Sequence, residues 1–199
     1  MKEQKRKEDK KNPERVIEKP KDIEDKREIL EELLIDEDEV MKEELFDEFS
    51  KYFSDGKKPK VLMTTSKTPS AKMFPFLKEI KSTLPFCYYY PRGNYTMKEL
   101  AEEGSKRDYT SVMVWRESRK RLTELVLVNL PHGPTAVFKV TSDVLNMKIK
   151  HHGNPTDHFP ELVINNFNSH VGRRIGRFFA TLFPPAPDFH ARTVCTFHN

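Results

Sequence analysis

The chain has 199 residues, 36% hydrophobic and 33% charged, with a net charge of +4, which leaves room for one or at most two small domains and a modest core. Its two cysteines, Cys87 and Cys195, lack paired or CxxC spacing, which argues against a disulfide framework or a cysteine zinc site and suggests an intracellular protein. No apolar run approaches the ~18 residues of a membrane span, and the N-terminus MKEQKRKEDKKNPER has no apolar signal-peptide core, so no membrane partner is expected.

Charge is unevenly spread. Residues 1–60 carry 16 Lys+Arg against 20 Asp+Glu, whereas residues 61–199 carry 19 against 11 and all seven histidines. A basic globular part attracts nucleic acid or another anionic surface. The cluster Lys5, Arg6, Lys7, Lys10 and Lys11 is a weak nuclear-import pattern interrupted by acidic residues.

Residues 1 to about 27 contain few apolar side chains and are expected to be disordered, because they bury too little surface to offset the entropy of ordering. From Glu28 to Phe53 helical spacing sets in, with Ile29, Leu30, Leu33 and Leu34, then Met41, Leu45, Phe46, Phe49 and Phe53 between acidic residues. This predicts an acidic amphipathic helix with a break near Asp36 to Glu39. Two readings stand side by side: the helix packs on its own domain, or Leu30, Leu33, Leu34, Leu45, Phe46 and Phe49 dock on a partner protein.

Asp55-Gly56 is turn chemistry and marks a boundary. Beyond it the spacing predicts a strand at Val61–Thr65, a helix from about Ala71 to Ser82, a strand at Phe86–Tyr90, a short helix at Met97–Glu103 and a strand at Tyr109–Glu117. Such alternation implies parallel strands with helical crossovers. Glu124–Leu130 and Thr135–Val140 then read as a hairpin around Pro131-His132-Gly133-Pro134. Trp115 and at least one of Tyr88, Tyr89 and Tyr90 are expected in the core.

After a polar, His-rich stretch at 143–160, the pattern restarts. An offset of 101 residues places Leu62 on Val163, Phe74 on Ile175 and Leu77 on Phe178, a faint internal repeat. The restart, ELVINNFNSHVGRRIGRFFATLFPP, reads as a strand, a turn, a helix capped by Asn168 or Ser169 and a stop at Pro184. At helical spacing Val171, Ile175, Phe178, Phe179 and Leu182 share one face, and Arg173, Arg174 and Arg177 the other. Cations near a helix N-terminus oppose its dipole, so the arginines read either as a solvated face or as a site for an external anion. Gly172 and Gly176 weaken the helix but allow close approach to its backbone. Thr193–Phe197 begins another strand.

No GxxxxGK[ST], GxGxxG, GxSxG or HExxH motif is present, so no enzyme, cofactor or metal is expected. His151, His152, Asp157 and His158 are ligand types, but in a Gly-Asn-Pro loop they read as solvated. Candidate phosphate contacts are Arg173, Arg174 and Arg177, together with Arg92, Lys148, Lys150, His151 and His152, and, less favoured, the turn of Arg119, Lys120 and Arg121. The turn Arg119 to Arg121 reads as a solvated hairpin connection.

The ordered series VLMTTSKTPS, NLPHGPTAVFKV, LVINNF, GRRIGRFFATLFP and TFHN resembles the Brix-domain family over about residues 44–199. The resemblance implies an α/β fold, a two-lobed Brix domain at 56–199 whose lobes look like the anticodon-binding domains of class II tRNA synthetases. The first lobe would span 56–142, the connection 143–160 and the second lobe 161–199, with a charged disordered and helical extension at 1–55. Family members continue past TFHN, so the second lobe is expected to be incomplete. The resemblance further implies non-catalytic work in the nucleus and nucleolus on the large (60S) ribosomal subunit, with pre-rRNA and other assembly factors as partners. The segment holding Arg173, Arg174 and Arg177 matches the family's sigma-factor-like stretch, proposed to contact RNA. An alternative is a protein scaffold whose RNA contact is incidental.

Overall fold

The computed structural model describes residues 37–153, 156, 158–185 and 193–199. The expectations for residues 1–27 and for Leu30, Leu33 and Leu34 lie outside the described residues. The acidic helical stretch forms helix α1 (Glu37–Phe46) and helix α2 (Ser50–Asp55). A break falls at 47–49; the expected one near Asp36 to Glu39 adjoins the start of α1 at Glu37, and the chain before Glu37 lies outside the described residues. Asp47 Oδ1 accepts from the Phe49 N–H at 3.0 Å and the Asp47 carbonyl accepts from Ser50 Oγ at 2.8 Å, a local turn that competes with continued helix.

The elements that follow are β1 (Val61–Thr65), α3 (Met73–Thr83), β2 (Cys87–Tyr89), α4 (Met97–Lys106), β3 (Ser111–Ser118), β4 (Arg121–Asn129) and β5 (Thr135–Lys139). Helix α4 begins in a capping box, with Thr96 Oγ1 accepting from the Glu99 N–H and the Glu99 carboxylate accepting from the Thr96 N–H, which satisfies two of the orphan donors of the first turn. The sheet order is β2-β1-β3-β4-β5. Strand β1 pairs parallel with β2 and β3, and the β3-β4-β5 meander is antiparallel. Both the parallel pairing and the hairpin agree with the alternation read from the sequence.

The period-two pattern divides side chains between two layers. Val61, Met63, Met113, Trp115, Leu125 and Leu127 face α3. Leu62, Val112, Val114 and Val126 face α4. Trp115 is buried and meets Phe76 edge-on at 4.9 Å. Of the three tyrosines, Tyr89 packs against the core while Tyr88 and Tyr90 are exposed.

Strand β6 (Glu161–Asn165), helix α5 (His170–Ala180) and strand β7 (Val194–His198) make a second unit, with β6 and β7 parallel. Strand, helix and parallel strand thus occur in it as in β1-α3-β2. Phe178, Leu182 and Phe183 complete the larger core cluster beside Val61 and Met63, and Phe179 stacks on Phe197 at 4.4 Å. No helix among the described residues is long and apolar enough to cross a membrane.

Candidate nucleic-acid interface

Helix α5 is capped by Ser169, whose Oγ accepts from the Gly172 N–H at 3.0 Å. Its apolar face enters the core as the spacing predicts, except that Val171, in the first turn, is exposed. The close approach that its glycines permit comes from within the chain. A Cβ on Gly176 would stand 3.1 Å from Ile164 Cγ2, so β6, not an outside partner, uses the space.

The polar face carries His170, Arg173, Arg174 and Arg177, but it meets the acidic segment from Glu43 to Glu48. Arg177 forms a two-pronged pair with Asp47, its Nη2 donating to Oδ1 at 3.0 Å and its Nε to Oδ2. The same Nη2 donates to the Glu44 carbonyl at 3.0 Å, and the guanidinium lies 4.7 Å from the Phe53 ring. The Arg177 and Asp47 side chains are only 20% and 14% exposed. Such fork-to-fork geometry is the strong form of a charge-assisted hydrogen bond. Arg174 pairs with Glu48 through Nε at 3.0 Å, and His170 Nδ1 lies 3.1 Å from Glu43 Oε2. Burial acts to raise the Glu48 carboxyl, yet the Arg174 hydrogen bond and charge, with a backbone hydrogen bond, carry it below the usual range. Arg173 makes no ion pair among the described residues.

Three arginines facing solvent together are therefore not what the structure holds. Two of them are engaged by carboxylates of the same chain. The segment from Asp47 to Asp55 packs in cis: Phe49 is 1% exposed and stacks on Phe178 at 5.3 Å, and Tyr52 Oη donates to the Phe183 carbonyl at 3.0 Å. Phe49 is thus a core residue and not part of a partner-facing stripe. Its apolar neighbours point the other way, with Leu45 70% and Phe46 89% exposed.

A second basic region lies on the α3 side of the first sheet. Lys72, Lys120, Arg121 and Lys148 line a groove of about 370 Å³ with Ser70, Glu117 and Asp143 among its walls. Three separate pieces of chain bring them together. Arg119 and Lys120 have φ of 52° and 61°, the left-handed pair that a tight turn between twisted strands needs. Glu117 accepts from the Ser70 N–H at 2.6 Å and from Ser70 Oγ at 2.7 Å, tying the loop after β1 to β3. Glu79 accepts from the Asn146 N–H at 3.1 Å, which holds the one-turn 3-10 helix Asn146–Lys148 beside α3. The four cations make no ion pair among the described residues.

Lys148 is the favoured phosphate contact in this groove, and Lys120 and Arg121 belong to the turn weighed as a lesser one. Lys150, His151 and His152 follow Lys148 on the exposed connection, and His151 has φ 59°. Asp157 lies outside the described residues, and no three metal-ligating side chains converge among those described. Lys72 escapes the sequence reading, which weighs Lys120 and Arg121 with Arg119 as phosphate contacts and sets them down in favour of a solvated hairpin connection. Three consecutive cations between two alternating strands were the available signal. Arg92 stands apart, donating through Nε to the Tyr95 carbonyl at 3.0 Å; burial, then the charge of Arg116, lowers its pKa.

Comparison with known proteins gives a consistent result. Residues 66–199 match the Brix domain. Ribosome production factor 1 of Danio rerio is 43% identical over 183 residues, covering 90% of this chain and 55% of that protein. The protein of the same name from Saccharomyces cerevisiae is 35% identical over 156 residues, covering 77% of this chain and 53% of that one. The chain spans about half the length of these curated relatives. A crystal structure of a probable ribosomal biogenesis protein from Aeropyrum pernix K1 superimposes with a TM-score of 0.54 at 23% identity, covering 71% of this chain and 82% of that one. That likeness concerns the fold.

Proposed function

The chain belongs to the Brix-domain family, and from that premise we propose that it is a non-catalytic ribosome assembly factor that binds precursor rRNA of the large subunit in the nucleolus. The names of its relatives support the assembly role. The observation that carries RNA binding is the groove of Lys72, Lys120, Arg121 and Lys148, four cations without carboxylate partners among the described residues. Unneutralised cations held by a rigid scaffold suit the phosphate backbone, because binding releases condensed counterions without breaking internal ion pairs. Lys150, His151 and His152 extend the same surface along the connection. Arg173 is the α5 cation left for a phosphate while Arg174 and Arg177 stay paired.

A second reading, a protein scaffold, draws on the outward-facing Leu45 and Phe46 of α1, which suit other assembly factors. Leu30, Leu33 and Leu34, outside the described residues, are proposed as further partner contacts on the same reading. Ultraviolet crosslinking in cells, followed by sequencing of the bound RNA, separates the two. Recovery of large-subunit precursor rRNA, lost on combined reversal of Lys120, Arg121 and Lys148 to Glu, is the expected result. Association with pre-ribosomes that survives the reversal but fails on Leu45→Ser with Phe46→Ser supports the scaffold reading instead.

A further inference from the structure

On the opposite side of the first sheet a second concavity runs between β1, the end of β2 and α4, and it has no role in the surfaces described above. Its volume is about 170 Å³, and it is lined by Leu62, Tyr90, Tyr95, Leu100 and Tyr109, with Thr64 among its walls. Leu62, Leu100 and Tyr109 are buried, whereas Tyr90 and Tyr95 are 50% and 53% exposed. Two half-open aromatic rings therefore stand on a mostly apolar concavity. Tyr109 hydrogen-bonds with Tyr90, and burial, more than that bond, pushes its hydroxyl up to about 12.

Thr64 is the telling residue. It is 1% exposed, and its Oγ1 is buried without a hydrogen-bond partner. Buried polar groups are nearly always partnered, and one left alone costs about 1–3 kcal/mol. Valine would fill the same space without that cost. The Oγ1 is itself closed to solvent behind the cavity wall, so a ligand's polar edge partners it only with a small shift of that wall.

Charge at the cavity is mixed: Arg107 and Glu103 both line it, while Lys60 and Arg92 stand against its lining residues Tyr109 and Tyr95. Lys60 Nζ lies 4.6 Å from the Tyr109 ring centroid and donates to the Arg107 carbonyl at 2.8 Å. The Arg107 side chain is exposed and lines the cavity, with its Nη2 3.9 Å from the carboxylate of Glu103, which lines it too. Arg92 is fixed to the Tyr95 carbonyl. Apolar walls, open tyrosine rings, one buried hydroxyl and three cations near the rim, one of them shared with Glu103, suit a flat ring with polar edges joined to phosphate. The cavity is smaller than the ~300 Å³ at which sites for drug-sized ligands begin, so it takes a single base and leaves sugar and phosphate outside.

We propose that this cavity receives one unpaired nucleobase of single-stranded RNA, stacked on Tyr90 or Tyr95, with an edge atom of the base on Thr64 Oγ1 and neighbouring phosphates on Lys60, Arg92 and Arg107. Stacking of splayed bases on aromatic side chains is a general mode of single-strand recognition. The inference rests on the RNA-binding reading and gives it a base contact that the cationic groove lacks. The flanking cations favour RNA over a proline-rich or aromatic peptide, which would use the rings without the charges.

The test is binding of the full chain to a short unstructured RNA of mixed sequence, followed by fluorescence anisotropy across a salt series, with zero-length ultraviolet crosslinks mapped by mass spectrometry. Three variants are compared with the parent: Tyr90→Ala with Tyr95→Ala, Thr64→Val, and Lys120→Glu with Arg121→Glu. The tyrosine variant should weaken binding about 5- to 100-fold with its salt slope unchanged, as expected for loss of a stacked base. Thr64→Val should weaken binding while unfolding at equal or higher denaturant, an outcome that a purely structural threonine does not give. Crosslinks should fall on Tyr90 or Tyr95.

Full binding by the tyrosine variant, with crosslinks elsewhere and sensitivity only to Lys120→Glu and Arg121→Glu, overturns the pocket and leaves the RNA reading standing. No binding by the parent chain overturns both. Equal competition by adenosine monophosphate assigns the pocket to a free nucleotide, and protection of Tyr90 by a PxxP peptide but not by RNA assigns it to protein; either result overturns the proposal.

Discussion

Three arginines and a histidine sit on the polar face of α5 and four cations around the groove beside α3, and the two sets differ in what they face. On α5, Arg177 and Arg174 are held by Asp47 and Glu48, and His170 lies against Glu43. In the groove, Lys72, Lys120, Arg121 and Lys148 share their walls with Glu117 and Asp143, and Glu117 is already occupied by Ser70. The first set fastens the acidic segment to the domain. The second is available to an external anion. Counting basic residues ranks the two regions alike; finding their carboxylates separates them.

If α5 serves to fasten, damage to the fastening should cost stability. The largest loss belongs to Phe49→Ala, which removes a buried ring stacked on Phe178 and should destabilise by about 3–5 kcal/mol in urea denaturation. Leu45→Ser and Phe46→Ser in the same stretch should change little, since both side chains are exposed. Next comes Asp47→Ala, which leaves Arg177 mostly buried without its two-pronged partner. A loss of about 1–3 kcal/mol is expected by the same assay. Charge reversal in the groove, Lys120→Glu with Arg121→Glu, should by contrast leave unfolding unchanged within about 0.5 kcal/mol.

Arg174→Ala sharpens the comparison at a smaller scale. Its side chain is 64% exposed, so solvent screening limits the expected loss to about 0–1 kcal/mol. The smallest effect is that of acid on the Glu48 pair. The folded carboxyl lies below its usual pKa of about 4.3 because of Arg174. Its contribution is therefore present above that value and lost as pH falls through the folded pKa. Stability of the parent relative to Glu48→Gln, followed by denaturation between neutral and acidic pH, should converge at the acid end.

Much of this fold was legible because its signals are local. Val61–Thr65 and Tyr109–Glu117 are short β-rich runs, Ser169 stands where a helix cap belongs, and the residues around Pro131 to Pro134 announce the β4-β5 hairpin. The partners of α5 were not legible. Glu44, Asp47 and Glu48 lie 126 to 133 residues from the arginines they meet, and helical periodicity shows which residues share a face but not what that face touches. The break at 47–49 was missed for a different reason. Asp47 turns its side chain back onto the Phe49 N–H, a local hydrogen bond that the helical spacing of Leu45, Phe46, Phe49 and Phe53 hides. The convergence of the groove went unseen because its cations come from 72, 120, 121 and 148, and only the folded sheet and the Glu79 contact bring them together.

The most direct test of the difference between the two basic regions is the salt dependence of RNA affinity for two charge-reversed chains, each checked for native circular dichroism. One carries Lys120→Glu, Arg121→Glu and Lys148→Glu, and the other Arg173→Glu alone, which spares the paired arginines. If the groove holds phosphates, the first variant should lose affinity and its salt slope should fall by about 0.7 for each contact removed, while the second loses at most one contact's worth. An unchanged slope in the groove variant, with a large fall for Arg173→Glu, would contradict this and return the phosphate-binding surface to α5.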